Sequence, residues 1–174
     1  MQRFSIIKGD IVKAKTDAIV NAANTSLLGG GGVDGAIHRS AGAELLEECK
    51  ALGGCKTGEA KITKGYKLKA SYVIHTPGPI WRGGKWGEDQ LLENCYKNAL
   101  SLAKENGVKT IAFPSISTGV YRFPVERAAK VAVRTICEFL QKDSFFKQVV
   151  MVCFDEETKE AYLYAMEEYK RAMK

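Results

Sequence analysis

The sequence lacks the marks of a membrane protein, of a disulfide-bonded secreted protein and of a zinc protein. No apolar run among its 174 residues approaches the ~18 residues that a membrane-spanning helix requires. Its five cysteines are an odd number and include no C-x-x-C pair, which favours neither a disulfide framework nor a zinc ribbon. The first residues, Met1–Ser5, contain no apolar signal-peptide core. We therefore expect a cytoplasmic protein with reduced thiols and without a metal or other cofactor.

Proline is scarce, and no Pro/Ser-rich stretch, internal repeat or low-complexity tract divides the chain. Hydrophobic residues make up 45% of the sequence and charged residues 26%, which are the proportions of an ordinary globular protein. A chain of this length can bury a real core as one unit. We therefore predict a single domain over residues 1–174.

Aromatic residues do not alternate with the basic ones, as a surface that stacks single-stranded bases would require. The net charge of +6 permits weak attraction to polyanions, but the basic side chains are scattered. One loose group of lysines is typical of a solvated surface, so a nucleic-acid partner is disfavoured. The group comprises Lys56, Lys61, Lys64, Lys67 and Lys69.

Short β-type runs alternate with helical patterns, which predicts an α/β sheet covered by helices on both faces. An apolar stripe over residues 92–103 ends before Gly107, a suitable C′ residue. A second helix has Pro124 at its first position, a third follows Asp155 as N-cap, and a shorter one covers Ala43–Leu52. The predicted strands are Phe4–Lys8, Ala18–Asn21, Ala60–Thr63, Tyr72–Thr76, Thr110–Pro114 and Gln148–Phe154.

Four distinctive segments each follow a predicted strand. They are Gly9-Asp10, Asn21–Asn24, Ser115–Tyr121 and Phe154-Asp155. Ligands of α/β sheets bind at the carboxyl ends of strands. We therefore expect the four segments to converge on one edge of the sheet.

The most informative segment is the run of four glycines, Gly29–Gly32, which is followed by Asp34 at the start of a helical pattern. Adjacent glycines carry a large chain-entropy cost and suit places where backbone approaches another group closely. A glycine-rich turn at a helix N-terminus offers N–H groups and a positive dipole end to a phosphate. The Ser115–Tyr121 segment, with hydroxyls and a glycine before a helix, suits a second phosphate contact. These features predict a phosphate-bearing ligand with a carboxylate beside it.

A dinucleotide-binding fingerprint is formally present as Gly30-x-Gly32-x-x-Gly35, but its context is wrong. Gly30 lies ten residues beyond Val20, and no strand-end acid follows about twenty residues later. A P-loop is excluded because the chain has no Gly-Lys-Ser/Thr triplet.

Each candidate side chain also has a plainer interpretation. Asp10, Asn21 and Asn24 could be turn residues that bond to their own backbone. Asp34 could be a helix cap, and Phe154 an ordinary core residue at a strand end. The two histidines, which have no metal-ligand spacing with the cysteines, we interpret as structural; they are His38 and His75.

Together these segments resemble the macro domain, and in particular the MacroD-type ADP-ribose hydrolases that include bacterial O-acetyl-ADP-ribose deacetylases. The resemblance rests on Gly9–Ile11, Asn21–Asn24, Gly29–His38 and Pro114–Tyr121, and it extends from the first strand to the last helix. It implies a three-layer α/β/α fold around a mixed sheet, with ADP-ribose and its esters as ligands. Mono-ADP-ribosylated proteins would be further partners.

The resemblance also implies a role for each site residue. Asp10 and the Ile11 amide would bind adenine, and Phe154 would stack on it. Phe154 stands where the bacterial deacetylases often have tyrosine, which keeps stacking but removes a hydroxyl. Asn24 would bind the distal ribose and Asp34 would lie near its anomeric carbon; we take this pair as catalytic. The other implied ligand-binding residues are Asn21, Gly31, Gly32, Val33, Ser117, Thr118, Gly119, Val120 and Tyr121.

The implied reaction is hydrolysis of an ester on the distal ribose, in O-acetyl-ADP-ribose or on an Asp or Glu side chain of a protein. An ester is moderately activated, so a positioned water and a charge-stabilising loop suffice without a covalent intermediate. A non-catalytic ADP-ribose reader is the alternative, because the same binding residues would serve it.

Overall fold

The computed structural model describes residues 3–174, and six strands form its centre. Met1 and Gln2, part of the predicted single domain, lie outside the described residues. The strands are β1 (Phe4–Lys8), β2 (Ala18–Ala23), β3 (Lys61–Lys64), β4 (Tyr72–Pro77), β5 (Thr110–Phe113) and β6 (Gln148–Cys153). They form one sheet in the order β1-β6-β5-β2-β4-β3. All neighbours pair in parallel except β3, which runs antiparallel to β4 at one edge.

Five helices cover the two faces of this sheet. They are α1 (Gly32–Ala41), α2 (Ala43–Leu52), α3 (Glu88–Glu105), α4 (Val125–Lys142) and α5 (Glu156–Ala172). Buried side chains of α3, α4 and α5 form one apolar cluster with one face of the sheet, and those of α1 and α2 form a second cluster with the other face. The predicted three-layer α/β/α fold with a mixed sheet is therefore confirmed.

The predicted elements agree with the structure to within one or two residues at most ends. Asp155 caps α5, since its carboxylate accepts a hydrogen bond from the Thr158 N–H at 2.8 Å. Pro124 lies one residue earlier than predicted, at the N-cap of α4 rather than inside it. The strand β2 runs two residues further than predicted, to Ala23. Ala22 and Ala23 therefore belong to the strand, and Asn21 lies inside it rather than at its end.

The carboxyl ends of the five parallel strands lie at the same edge of the sheet. The segments after β1 and β6 are joined there by a hydrogen bond from the Gly9 N–H to the Cys153 carbonyl, at 2.9 Å. In the part of the chain described here, no helix is both long and apolar enough to cross a membrane.

A buried carboxylate holds the connection between β4 and α3. The two carboxylate oxygens of Glu88 accept hydrogen bonds from the N–H groups of Arg82 and Gly84, both at 2.9 Å, and of Trp86 at 2.7 Å. Burial by itself would raise the pKa of Glu88, but these donors stabilise the charged form and lower the pKa to about 2. The ionised side chain therefore fixes this connection.

Replacing Glu88 with Gln should lower the free energy of unfolding at neutral pH, because an amide turns an N–H group toward donors that need an acceptor. The folded-state pKa of Glu88 lies below the usual value of 4.5. The stability that the ionised Glu88 contributes is therefore complete above pH 4.5 and is lost as the pH falls toward 2. Urea unfolding at pH 7 and pH 3 should show a difference from wild type that shrinks at pH 3. The exposed residue Glu160 provides the control, Glu160→Gln, and equal effects of both variants would contradict the prediction.

Candidate functional site

A cavity of about 320 Å³ opens at the carboxyl edge of the sheet, between the ends of β2 and β5. These two strands pair only at their beginnings, where Ala18 and Ile19 lie opposite Ile111 and Ala112. Beyond those pairs β2 continues beside β4 to Ala23 before the chain turns to α1 on one face, and the chain leaves β5 after Phe113 toward α4 on the other. The lining residues are Ala22, Ala23, Asn24, Gly30, Gly31, Gly32, Val33, Asp34, Gly78, Ser115, Ser117, Gly119, Val120 and Tyr121.

One wall of the cavity is the N-terminus of α1. Its N-cap residue is Gly31, which has no side chain to satisfy the first N–H groups of the helix. Gly32 has a φ of +57°, in the left-handed region that favours glycine. The free N–H groups and the positive end of the helix dipole form an anion-binding surface. Because Gly31 is the cap, the plainer interpretation of Asp34 as N-cap is excluded.

The opposite wall is the Ser115–Tyr121 loop. Hydrogen bonds from the Phe123 N–H to the Ser117 carbonyl, at 3.0 Å, and from the Arg122 N–H to the Gly119 carbonyl, at 2.9 Å, close the loop on itself. Within residues 3–174, the N–H groups of residues 117–121 donate to no protein acceptor. Two rows of available backbone donors thus face each other across the cavity.

Two buried tyrosines fix this loop from the side of α3 and α5. The Tyr162 hydroxyl lies 2.8 Å from the Ser115 Oγ, and the Tyr96 hydroxyl accepts from the Ile116 N–H at 3.1 Å. Burial raises the pKa of Tyr162 to about 12, so its hydroxyl keeps its proton at neutral pH. Neither tyrosine could be found from the sequence alone, because their partners in the loop lie 47 and 20 residues away along the chain.

One of the two carboxylate oxygens of Asp34 is bound by side chains of the protein, and the other, among the described residues, is not. Its Oδ1 accepts from the Asn21 Nδ2 at 2.8 Å and lies 3.4 Å from the His38 Nε2. Its Oδ2 faces Gly30, where an added Cβ would lie only 3.0 Å from that oxygen. The carboxylate is 5% exposed and lines the cavity. Asp34 therefore presents one oriented, largely desolvated oxygen beside the glycine run.

Asn21 does not reach the cavity, which corrects the expectation that it contacts a ligand. It is 0% exposed, and its Nδ2 also lies 3.1 Å from Nδ1 of His75, the residue opposite it on β4. Burial, and secondarily the charge of His38, lowers the pKa of His75 to about 3, so the imidazole is neutral at physiological pH. Alternation along β2 points Asn21 into the layer of α1 and α2, behind Asp34.

Asn24 lines the cavity, but most of its hydrogen bonds stabilise its own loop. Its Oδ1 accepts from the Ser26 and Leu27 N–H groups, both at 3.1 Å, and its Nδ2 donates to the Gly29 carbonyl at 2.9 Å. The plainer interpretation as a turn residue therefore applies. Since a carboxamide nitrogen carries two hydrogens, one donor remains for a ligand.

The predicted adenine-binding residues lie at the same edge of the sheet but outside the cavity lining. Asp10 accepts from the Val12 N–H at 3.2 Å and so caps a short 3₁₀ turn over Ile11–Lys13. Phe154, which directly follows β6, is 84% exposed. An aromatic ring this exposed is not a core residue, which excludes the plainer interpretation and leaves its face available to a base.

All five cysteines are free and buried. Among residues 3–174, no group of three or more His, Cys, Asp or Glu side chains could hold a metal ion.

Comparison with known proteins identifies the family. A family model described as "Macro domain" matches residues 20–132, which is more than half of the chain. A macro domain-containing protein of Methanosarcina mazei is 61% identical over 158 residues, covering 91% of this chain and 84% of that protein. The chain belongs to the macro domain family.

Other relatives and solved structures are similar over almost the whole chain. A Salmonella typhimurium protein named O-acetyl-ADP-ribose deacetylase is 55% identical over 164 residues, which is 92% of each chain. The structure of an Oceanobacillus iheyensis macrodomain mutant with ADPR has a TM-score of 0.92 at 45% identity, covering 95% of this chain and 92% of that one. The Trypanosoma brucei macrodomain in complex with ADP-ribose has a TM-score of 0.87 at 44% identity, covering 92% and 67%.

Close packing of the glycine run on α1 should make Gly35→Ala destabilising. A Cβ at Gly35 would lie 2.5 Å from the Gly30 carbonyl oxygen, a backbone atom that cannot move without the loop. Overpacking costs about 1–3 kcal/mol, which exceeds the gain of up to ~1 kcal/mol from replacing a helical glycine. Urea unfolding should therefore show a lower free energy of unfolding.

Gly119→Ala is the matched control for this variant. An added Cβ at Gly119 meets nothing within 4 Å. Its unfolding free energy should stay within about 0.5 kcal/mol of wild type, as at other unstrained surface positions. Equal stability of the Gly35 and Gly119 variants would show that the close approach of Gly30 to α1 is unimportant.

Proposed function

We propose that this protein binds ADP-ribose along the carboxyl edge of its sheet and hydrolyses an ester on the distal ribose, as in O-acetyl-ADP-ribose. The observation that carries the proposal is the position of the Asp34 carboxylate, which lines the same cavity as the N-terminus of α1 and the Ser115–Tyr121 loop. Donor rows of this kind suit a diphosphate, and an oriented carboxylate suits chemistry beside it. Relatives named O-acetyl-ADP-ribose deacetylase, at 54–55% identity, support the same substrate.

The proposed ligand spans the edge from β6 to β2. Adenine stacks on the exposed ring of Phe154, with its amino group on Asp10 and a ring nitrogen on the Ile11 amide. The diphosphate lies between the N-terminus of α1 and the Ser115–Tyr121 loop. The distal ribose then reaches Asn24 and Asp34, which line the cavity beside the glycine run. In this arrangement the adenine end of the site contributes affinity, and the ester on the distal ribose reacts at the other end.

The proposed reaction is attack of a water oxygen on the acyl carbon of the ester. The Oδ2 of Asp34 accepts a hydrogen bond from this water and orients it, and a substrate phosphate oxygen helps to accept the proton. Backbone donors stabilise the tetrahedral oxyanion, which collapses as the ribose oxygen leaves and takes up a proton. The products are a carboxylic acid and ADP-ribose. An Asp or Glu side chain esterified to the ribose would react in the same way, so mono-ADP-ribosylated proteins are proposed as a second substrate class.

Asp34→Ala should reduce turnover of O-acetyl-ADP-ribose by about 10²–10⁴-fold, the usual range for a group that positions proton transfer. Affinity for ADP-ribose should change little, because the carboxylate is remote from the adenine end. Release of ADP-ribose from the ester and calorimetric titration with ADP-ribose measure the two quantities separately. Full hydrolysis by the variant would remove Asp34 from the mechanism. A wild-type protein that binds ADP-ribose but releases none from the ester would instead be a reader.

Asp10→Ala should weaken binding of ADP-ribose roughly ten- to a hundredfold, since it removes a charge-assisted hydrogen bond of ~1.5–3 kcal/mol to the adenine amine. AMP should be weakened to the same extent, while ribose 5-phosphate, which lacks the base, should be unaffected. Calorimetry with the three ligands tests this, and thermal unfolding checks for loss of the cap at the Ile11–Lys13 turn. Equal weakening of ribose 5-phosphate would place the adenine elsewhere.

A further inference from the structure

A continuous chain of buried polar side chains runs behind Asp34, through residues that do not line the cavity. Thr63 on β3 lies 2.9 Å from Nε2 of His75 on β4, and Nδ1 of His75 lies 3.1 Å from Nδ2 of Asn21 on β2. Asn21 then donates to Asp34 on α1 at 2.8 Å. None of the four side chains is more than 5% exposed. Three adjacent strands of the sheet thus connect to the proposed reacting carboxylate.

The hydrogens in this chain can be assigned from donor and acceptor capacity alone. An ionised carboxylate only accepts, so Asn21 must present its nitrogen to Asp34. The second hydrogen of that nitrogen points to the Nδ1 of His75, which is therefore the unprotonated nitrogen of the ring. Nε2 carries the hydrogen and donates it to the Oγ1 of Thr63. The neutral state of the buried imidazole is consistent with this tautomer.

The arrangement has an energetic cost at the Oδ1 of Asn21. It is buried and has no hydrogen-bond partner in the described part of the chain. A buried unsatisfied carbonyl oxygen is unfavourable, because it has lost its hydrogen bonds to water without replacing them. The amide keeps that orientation because turning it over would place Oδ1 against both the Asp34 carboxylate and the lone pair of His75. Asn21 therefore keeps both hydrogen bonds of its Nδ2 and leaves its Oδ1 without a partner among residues 3–174.

From this geometry we propose that His75 is a positioning residue for Asp34, acting through Asn21; the proposal rests on the function proposed above. As a pure acceptor at Nδ1, His75 fixes the orientation of the Asn21 amide. The amide in turn holds the Oδ1 of Asp34 and leaves Oδ2 directed toward Gly30 and the cavity. The register of β2 and β4 places the two side chains side by side, because Asn21 and His75 are opposite each other on these adjacent parallel strands.

Two substitutions at His75 separate positioning from simple packing. His75→Leu removes the acceptor, whereas His75→Asn can place its Oδ1 near the position of Nδ1. With O-acetyl-ADP-ribose, His75→Leu should lower kcat about 10- to 100-fold, because displacing a reacting group by ~1 Å costs about 10² in rate. KM and the affinity for ADP-ribose should be nearly unchanged. His75→Asn should recover most of the lost kcat.

Cys49 provides a matched buried control, because its Sγ lies 3.8 Å from the Nε2 of His75 but has no part in the chain to Asp34. Cys49→Ala should lower the melting temperature and leave kcat unchanged. In a double-mutant cycle, His75→Leu and Asn21→Leu should be strongly non-additive in kcat, since they interrupt one connection. A kcat for His75→Leu equal to that of wild type, or no recovery in His75→Asn, would overturn the proposal.

A second measurement keeps the proposal testable if the wild-type protein does not hydrolyse esters, an outcome that would refute only the proposed function. Nitrogen-15 NMR of the imidazole should show an unprotonated Nδ1 and a protonated Nε2 in the wild-type protein. It should also show that the Asn21 side-chain amide resonances move in His75→Leu and return toward their original positions in His75→Asn. A protonated Nδ1 would contradict the assigned hydrogen bonds whether or not the protein is an enzyme.

Discussion

The site depends on how β2 and β5 separate. These two neighbouring strands are paired only where Ala18 and Ile19 lie opposite Ile111 and Ala112, and after the last residue of each strand the chain turns to opposite faces of the sheet. The divergence creates the crevice in which α/β sheets commonly bind ligands. It also brings the N-terminus of α1 and the Ser115–Tyr121 loop face to face, so that their backbone donors point into the same space. The crevice follows from the strand order and the short pairing of β2 with β5, so no single side-chain contact could create it.

Most of the polar side chains around the cavity form hydrogen bonds that stabilise the surrounding loops and do not point toward the proposed ligand. Asn24 stabilises the turn before the glycine run, Tyr162 holds the loop after β5 and Glu88 holds the connection after β4. An oriented backbone donor needs no reorganisation when charge arrives, which is why such donors are effective against phosphates and oxyanions. Asp34 is the exception, and its own support lies in the sheet interior, in the chain that leads through Asn21 to His75.

Much of the fold could be predicted from the sequence because the evidence for it is local. Alternating apolar runs located the six strands, the cap at Asp155 and the glycine at 107 located helix ends, and the strand–helix alternation gave the three layers. The Gly29–Gly32 run and Asp34 could be placed at one site for the same reason, as they adjoin each other in the chain. The errors were small and also local: β2 continues two residues further than predicted, to Ala23, so that Asn21 lies inside the strand and not at its end.

The sequence by itself determined the elements, the glycine run and the residue types at the strand ends. Tertiary structure decided which of those residues face the cavity and which stand behind it. Asn21 and Asn24 are three residues apart and chemically identical, yet the pleat of β2 buries one against His75 while the loop exposes the other. His75, Thr63 and Tyr162 carry no sequence signal of their own, since their roles come from partners far away in the chain. A hydrogen bond depends on distance and direction between two groups, and only the folded sheet brings these groups together.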